Sequence, residues 1–600
     1  MTAPADLVFA NGIDATTGEL LLPPITVEEL ARLATNQAID RAESTELAAR
    51  HRRVTEQTFA PKHGVDPADL AQTGWGVVFA EHSDPRLVTA LTPLLVRRHA
   101  QAGAVIESRY REFSGGSGYR KGESKQEFLR RFGSGPGPVD PDVVPYYLLL
   151  VGGPDEIPFE VQYQLDVQHA VGRIHFDDVA SYARYARNVV AAETGAARTE
   201  SARLSFFAAR NDDDPATALS CEQLVTPLAT DLGNDWLVRS FLGADATKDG
   251  LCALLSGEER PDVLFTATHG VGFPAGHDDQ RRMQGALVCQ DWPGPGHGLI
   301  APEHWFGPQD VPDADLTGMI AVLFACFGAG TPRYDDFDRS PGQRTALAPD
   351  PFVAALPQAL LGRDGGALAV VGHVDRALGY SFVWPGAGRQ TEVYRSTLAE
   401  LREGAPIGSA LEYVGDRYAE LATDLKQAVD DATEGWRADD AMLAGLFAAC
   451  ADARGFVLLG DPAVRLATAP AEGFVPRSAP ITVSAAVSAT GRREVSADET
   501  ADETAAEPAT LSPARDDPVE VATYVTDDPD GVAYDAATGR ISGARLCLFS
   551  SVDLDGTAAH VTTTPVPGAD DEALTRLHTR LVEISVDARR ASRRESGRSQ

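Results

Sequence analysis

The sequence predicts an α/β protein built on a doubly wound, mainly parallel sheet of tandem subdomains, followed by a small α+β module at the C-terminus. Three observations predict it. Short, continuous apolar runs closed by glycine turns recur between Trp75 and Leu459, and such runs are how strands buried on both faces look in sequence. Helical patterns separate most of them, the rhythm of βαβ units. After about residue 467 the runs give way to Ala, Thr, Ser, Pro and Glu.

Taken in order, residues 1–70 are expected to form an N-terminal helical cap, irregular at first and then a charged helix across Val27–Thr58. A first α/β subdomain over 71–250 opens with a strand at Trp75–Ala80. Asp84-Pro85 then starts a helix, with aspartate as cap and proline at the first helical position. Residues 112–143, rich in Gly, Lys and Pro, are expected to be a long exposed loop. Strands follow at Tyr146–Val151, Arg203–Ala209 and Trp236–Phe241. A second subdomain over 251–467 carries strands Val263–Thr268, Ile320–Ala325, Ala367–Val371 and Phe456–Leu459, with helices at Val393–Glu403 and Ile407–Ala428. Residues 468–517 have a disordered-linker composition. The module over 518–600 shows strands at Val519–Thr526 and Ala544–Val552. Its helix carries Leu574, Leu577, Leu581 and Ile584 on one face. Its basic tail (Arg589, Arg590, Arg593, Arg594, Arg598) is more simply a frayed helix end than a nucleic-acid arm.

Composition excludes several classes. Lys+Arg 53 against Asp+Glu 87 gives a net charge of −34, which argues against a nucleic-acid surface needing clustered cations. No run approaches the roughly 18 apolar residues of a membrane helix, so no membrane partner is expected. The start, Met1-Thr-Ala-Pro-Ala-Asp6, lacks the basic and apolar regions of a secretory signal. The cysteines (Cys221, Cys252, Cys289, Cys326, Cys450, Cys547) form no CxxC pair and suit reduced thiols, which points to a cytoplasmic setting. Gly152-Gly153 and Gly330-Thr331 form neither a P-loop nor a dinucleotide fingerprint. His269, His277 and Asp278 match no helical metal motif. No cofactor or metal is expected.

Two strands end on reactive residues. One stops at His269-Gly270 and the other at Cys326-Phe-Gly-Ala-Gly330. Ligand-binding groups of open α/β sheets gather beyond the carboxyl ends of such strands. A thiol there, with an ordinary pKa of about 8.5, needs an imidazole to deprotonate it. Backbone N–H groups in the turns at Gly270 and Cys326 are candidate oxyanion donors. A lone buried cysteine is ordinarily an inert apolar residue; it is the shared context of glycine turns at strand ends that singles out this pair. The other five cysteines lack it. Nothing in the sequence places the group that orients His269, although Asp310 and Asp315 are close in sequence.

His269-Gly270 followed by Ala325-Cys326-Phe-Gly-Ala resembles the caspase-type (clan CD) cysteine peptidases, a group that includes CHAT-domain proteins. Further landmarks resemble its gingipain-like branch: Tyr147-Leu-Leu-Leu-Val-Gly-Gly-Pro-Asp-Glu-Ile-Pro158, Val171-Gly-Arg-Ile174, Gly365-Gly-Ala-Leu-Ala-Val-Val371 and Phe456-Val-Leu-Leu-Gly-Asp-Pro462. The resemblance implies a caspase-like fold with the catalytic subdomain at 251–467. It implies Cys326 as nucleophile, His269 as general base and acid, and Gly270 N–H in the oxyanion hole. It also implies Asp166 as a pocket carboxylate for a basic P1 side chain, in a segment shorter than the family's. Self-cleavage in the Thr331–Pro351 loop, at Arg333, Arg339 or Arg344, would follow from such a preference; an ordinary exposed loop is the simpler reading. The leading expectation is an intracellular, regulatory or defence-related cysteine endopeptidase acting on protein or peptide substrates, with the C-terminal module recruiting an activator or partner. The alternative is a non-catalytic scaffold that binds other proteins.

Overall fold

A ten-stranded sheet organises the chain. Its strands, in chain order, are β1 (Trp75–Phe79), β2 (Tyr110–Phe113), β3 (Tyr147–Val151), β4 (Ala170–Ile174), β5 (Arg203–Ala208), β6 (Leu237–Leu242), β7 (Val263–Ala267), β8 (Ile320–Phe324), β9 (Ala369–His373) and β10 (Phe456–Gly460). This computed structural model describes residues 7–30 and 61–467, apart from 9, 22–23, 28, 196–201, 299, 341–342, 385–386 and 434–439, and four strands between 533 and 562. The spatial order is β2-β1-β3-β4-β10-β9-β8-β7-β5-β6. Every neighbouring pair is parallel except β9 and β10, which run antiparallel from Ala369↔Gly460 to His373↔Phe456. Two parallel halves thus meet at one antiparallel seam, closed by the last strand of the sheet. β5 and β6 hydrogen-bond into the half that holds β7 and β8.

β7, β8 and β9 are buried at every position, as expected of apolar strands covered by helices on both faces. The Pro85–Ala102 helix begins as its sequence demands, with the Asp84 carboxylate accepting from the Arg86 N–H at 2.8 Å. β2 departs from expectation, because it occupies the start of the stretch read as a loop over 112–143. Only Phe113 of Tyr-Arg-Glu-Phe is buried, and a short charged edge strand protects a sheet from further pairing while concealing itself in sequence. The same stretch holds a helix, Lys125–Arg131, capped by the reciprocal Ser124/Glu127 box.

Two family-like landmarks are structural clamps. Arg173 in β4 donates to the carbonyls of Gly152 (2.9 Å) and Ile157 (2.7 Å), fixing the turn after β3. Asp461, just beyond β10, accepts from Trp75 Nε1 at 2.9 Å and from Arg98 Nε at 2.6 Å, tying the seam to the first half.

The chain divides into two units, Met1–Val483 and Ser484–Gln600. In the second, Ala533–Asp535 pairs antiparallel with Arg540–Ser542, and Leu548–Val552 with Ala559–Thr562. Most of the expected Val27–Thr58 helix, the 468–517 linker, the Val519–Thr526 strand and the helix with Leu574–Ile584 lie outside the described residues. Among those described, no helix is long and apolar enough to cross a membrane.

Candidate active site

β7 and β8 are adjacent and in register, Ala267 opposite Phe324, so their next residues bring the His269 and Cys326 turns side by side. The Thr268 N–H donates to the Phe324 carbonyl at 3.1 Å, extending the pairing past the strand ends. Gly270 is demanded here, because a Cβ on it would lie 1.8 Å from the Cys326 carbonyl oxygen. Phe327, next to the cysteine, is held in the left-handed region at φ 58°. Its N–H donates to the Asp375 carbonyl at 2.7 Å, an arrangement that a non-glycine residue adopts only when its surroundings impose it.

His269 is fully buried and is oriented by a residue that sequence reasoning did not find. Its Nε2 lies 2.6 Å from Asp214 Oδ2. Asp214 follows β5, caps the Pro215–Leu219 helix, and also accepts from Thr217 Oγ1 at 2.7 Å and the Ala216 N–H at 3.2 Å. Burial disfavours its charge, but the imidazole, the hydroxyl and the N–H outweigh burial and hold its pKa below the ordinary carboxylate value. A carboxylate facing Nε2 fixes the proton there, which leaves Nδ1 as the basic nitrogen. That Nδ1 is buried without a hydrogen-bond partner. Trp292 closes over the ring edge-on, with centroids 5.8 Å apart. Asp310 instead pairs with Lys248 at 2.8 Å, and Asp315 accepts from the Thr317 N–H.

Cys326 is also fully buried. Burial pushes its thiol up to about 12, against the opposing pull of the Ala377 N–H, 3.3 Å from Sγ, and of the Arg376 charge. The loop bearing Ala377 is braced by buried Asp452, which accepts from the Leu378 N–H at 2.8 Å and meets His373 Nε2 at 3.1 Å. Arg376 makes a two-pronged pair with Asp335, at 2.8 and 2.7 Å. Asp335 belongs to the Tyr334–Ser340/Gln343–Ala346 hairpin, so part of the expected Thr331–Pro351 loop is ordered against the site.

The N–H groups of Gly270 and Cys326 converge on one atom. Both donate to the main-chain carbonyl oxygen of Asn11, at 2.9 and 3.0 Å. Gly12–Asp14 continues as a strand parallel to Gly270–Gly272, completing a small sheet with Leu287–Val288 and Trp305–Phe306.

Cys326, His269 and Gly270 are therefore brought together. Asp166 is not: its carboxylate accepts from the Val171 N–H at 3.1 Å, beside β4 in the other half of the sheet. It lines a cavity with Tyr163, His169 and Phe456 that includes neither Cys326 nor His269. His277 and Asp278 are not joined to His269, and among the described residues no cluster of three or more His, Cys, Asp or Glu side chains could hold a metal ion.

No family model and no curated protein matches the chain. A solved structure named "Structure of Protease" is similar over 69% of this chain and 81% of its own, with 12% identity and a TM-score of 0.38.

Proposed function

We propose that the chain is a cysteine endopeptidase of caspase-like fold, acting through Cys326, His269 and Asp214. The observation that carries the reading is the convergence of the Gly270 and Cys326 N–H groups on one carbonyl oxygen beside the Cys326 sulfur. Two donors fixed around the oxygen of a peptide bond are what an acyl-transfer oxyanion requires.

In this reading Nδ1 of His269 takes the thiol proton as Sγ adds to the substrate carbonyl carbon. The two N–H groups hold the resulting oxyanion, and His269 returns the proton to the leaving amine. A water deprotonated by the same imidazole then hydrolyses the thioester. Asp214 keeps the ring in one tautomer and balances its charge when it is protonated. The substrate is a protein or peptide, and the C-terminal module serves to recruit a partner.

The test is hydrolysis of a fluorogenic peptide library by wild type, Cys326→Ala and His269→Ala. Both variants should lose turnover. Turnover that survives Cys326→Ala eliminates the mechanism.

A further inference from the structure

The segment that covers Cys326 has the layout of a bound substrate. Ala10 pairs antiparallel with Leu378, and the Asn11 N–H donates to the Ala377 carbonyl at 3.0 Å. The Asn11 carbonyl oxygen occupies both oxyanion donors. Gly12 follows against the sulfur itself, for a Cβ there would lie 3.0 Å from Cys326 Sγ and 2.7 Å from Leu21 Cδ1. The peptide bond over the nucleophile is therefore Asn11–Gly12, with asparagine at P1 and a residue that must be small at P1′.

The Asn11 side chain, 2% exposed, fills a specific pocket. Its Nδ2 donates to Ser220 Oγ at 3.3 Å and to the Thr268 carbonyl at 3.5 Å. The Ser220 hydroxyl proton is already given to the Thr217 carbonyl at 3.2 Å, so Ser220 offers a lone pair to its guest. Two acceptors select an NH₂ group. An aspartate would place oxygen against oxygen, and an arginine would meet a hydroxyl and a carbonyl there rather than a carboxylate.

Building on the peptidase reading, we propose that Asn11–Gly12 is a self-processing site and that the enzyme selects asparagine at P1, not the basic residue its family resemblance implies. Cys326 Sγ adds to the Asn11 carbonyl carbon, its proton passing to His269. The Asn11–Gly12 C–N bond breaks, with that proton going to the Gly12 nitrogen. Water then releases Asn11 as a carboxylate and restores the thiol. Residues 1–11 leave. Gly12–Asp14 stays in the small sheet, held also by the Leu21 N–H donating to the Gly12 carbonyl at 2.8 Å. Departure uncovers Cys326, whose present burial keeps the intact chain dormant.

The experiment follows purified full-length wild type, Cys326→Ala, Asn11→Asp and Ser220→Ala by intact mass and N-terminal sequencing over time. The same preparations are given a peptide library varied at P1. Wild type should convert to a chain beginning at Gly12 while Cys326→Ala stays whole. Asn11→Asp should slow the conversion, and P1 Asn peptides should be preferred over Asp or Arg, each by at least about 100-fold. Ser220→Ala should narrow the preference for Asn over Asp. Cleavage at the wild-type rate in Cys326→Ala would assign the break to spontaneous Asn-Gly chemistry and overturn the proposal. An intact wild-type chain with Cys326-dependent turnover of peptides lacking asparagine overturns it while leaving the peptidase standing. An intact chain with no turnover overturns self-processing at Asn11–Gly12.

Discussion

Replacing Asp214 by Asn isolates the charge behind His269. The carboxylate receives three groups, with His269 Nε2 at 2.6 Å, Thr217 Oγ1 at 2.7 Å and the Ala216 N–H at 3.2 Å. Asparagine caps helices as well as aspartate does, so the Pro215–Leu219 helix should persist. What is lost is the negative charge opposite an imidazole that becomes cationic during turnover. Two unit charges about 4 Å apart interact by about 4 kcal/mol at an effective dielectric constant near 20. That corresponds to a fall of about 10³-fold in kcat/KM. Because the charge matters only when the ring is protonated, the loss should appear in kcat with KM little changed. The assay is steady-state hydrolysis of the best library peptide, with urea unfolding of the same sample as a fold control. A folded Asp214→Asn enzyme within about threefold of wild type would refute an electrostatic role for Asp214.

Further outcomes follow from other contacts. Asp461→Ala removes the acceptor of Trp75 Nε1 and strips one carboxylate from fully buried Arg98. Urea denaturation should show a loss of about 3–5 kcal/mol, and an unchanged midpoint would contradict the clamp. Gly12→Ala drives a methyl group against Cys326 Sγ and Leu21. Iodoacetamide should then modify Cys326 ahead of the partly exposed Cys252, reversing the order expected of the uncleaved wild-type chain; peptide mapping reads this directly. Asp214 and Glu193 are both opposed by burial, yet their partners hold both pKa values below ordinary ones, with Arg98 chief among those of Glu193. Their stabilisation is complete above the unfolded carboxylate range near pH 4 and is lost as pH falls through the lower folded values. The urea midpoint should therefore drop as pH falls below about 4, and a flat profile there would exclude these pairs as its source.

Some of this was legible in sequence for a physical reason. Cys326 and His269 each end a short run that is apolar on both faces, so burial, strand and turn are written in consecutive residues. Asp214 is written the same way, as a cap before Pro215 just past the strand Arg203–Ala209, the very signal that announced Asp84-Pro85. It was masked by sitting third in Asp212-Asp213-Asp214, where a charge run looks like a solvated turn. Asn11 had no local signal, since Asn-Gly ordinarily marks a turn and its partners lie hundreds of residues away. β2 hid because an edge strand has no need of the apolar pattern that reveals central ones. The landmarks at Arg173 and Asp461 fell in the right elements, yet their contacts are those of fold clamps.

The antiparallel seam sets the order in which the chain can acquire its parts during synthesis. β10 enters the middle of the sheet last, and Asp452, which holds the Ala377 loop, lies on the Asp440–Gly455 helix that leads into it. A nascent chain that has emerged only as far as β9 has Cys326 and His269 but lacks the brace for the Ala377 loop beside them. Long-range closures of this kind form late. The ribosome thus releases the thiol before the cleft, and on the proposed peptidase reading cleavage waits until nearly all of the sheet has been made.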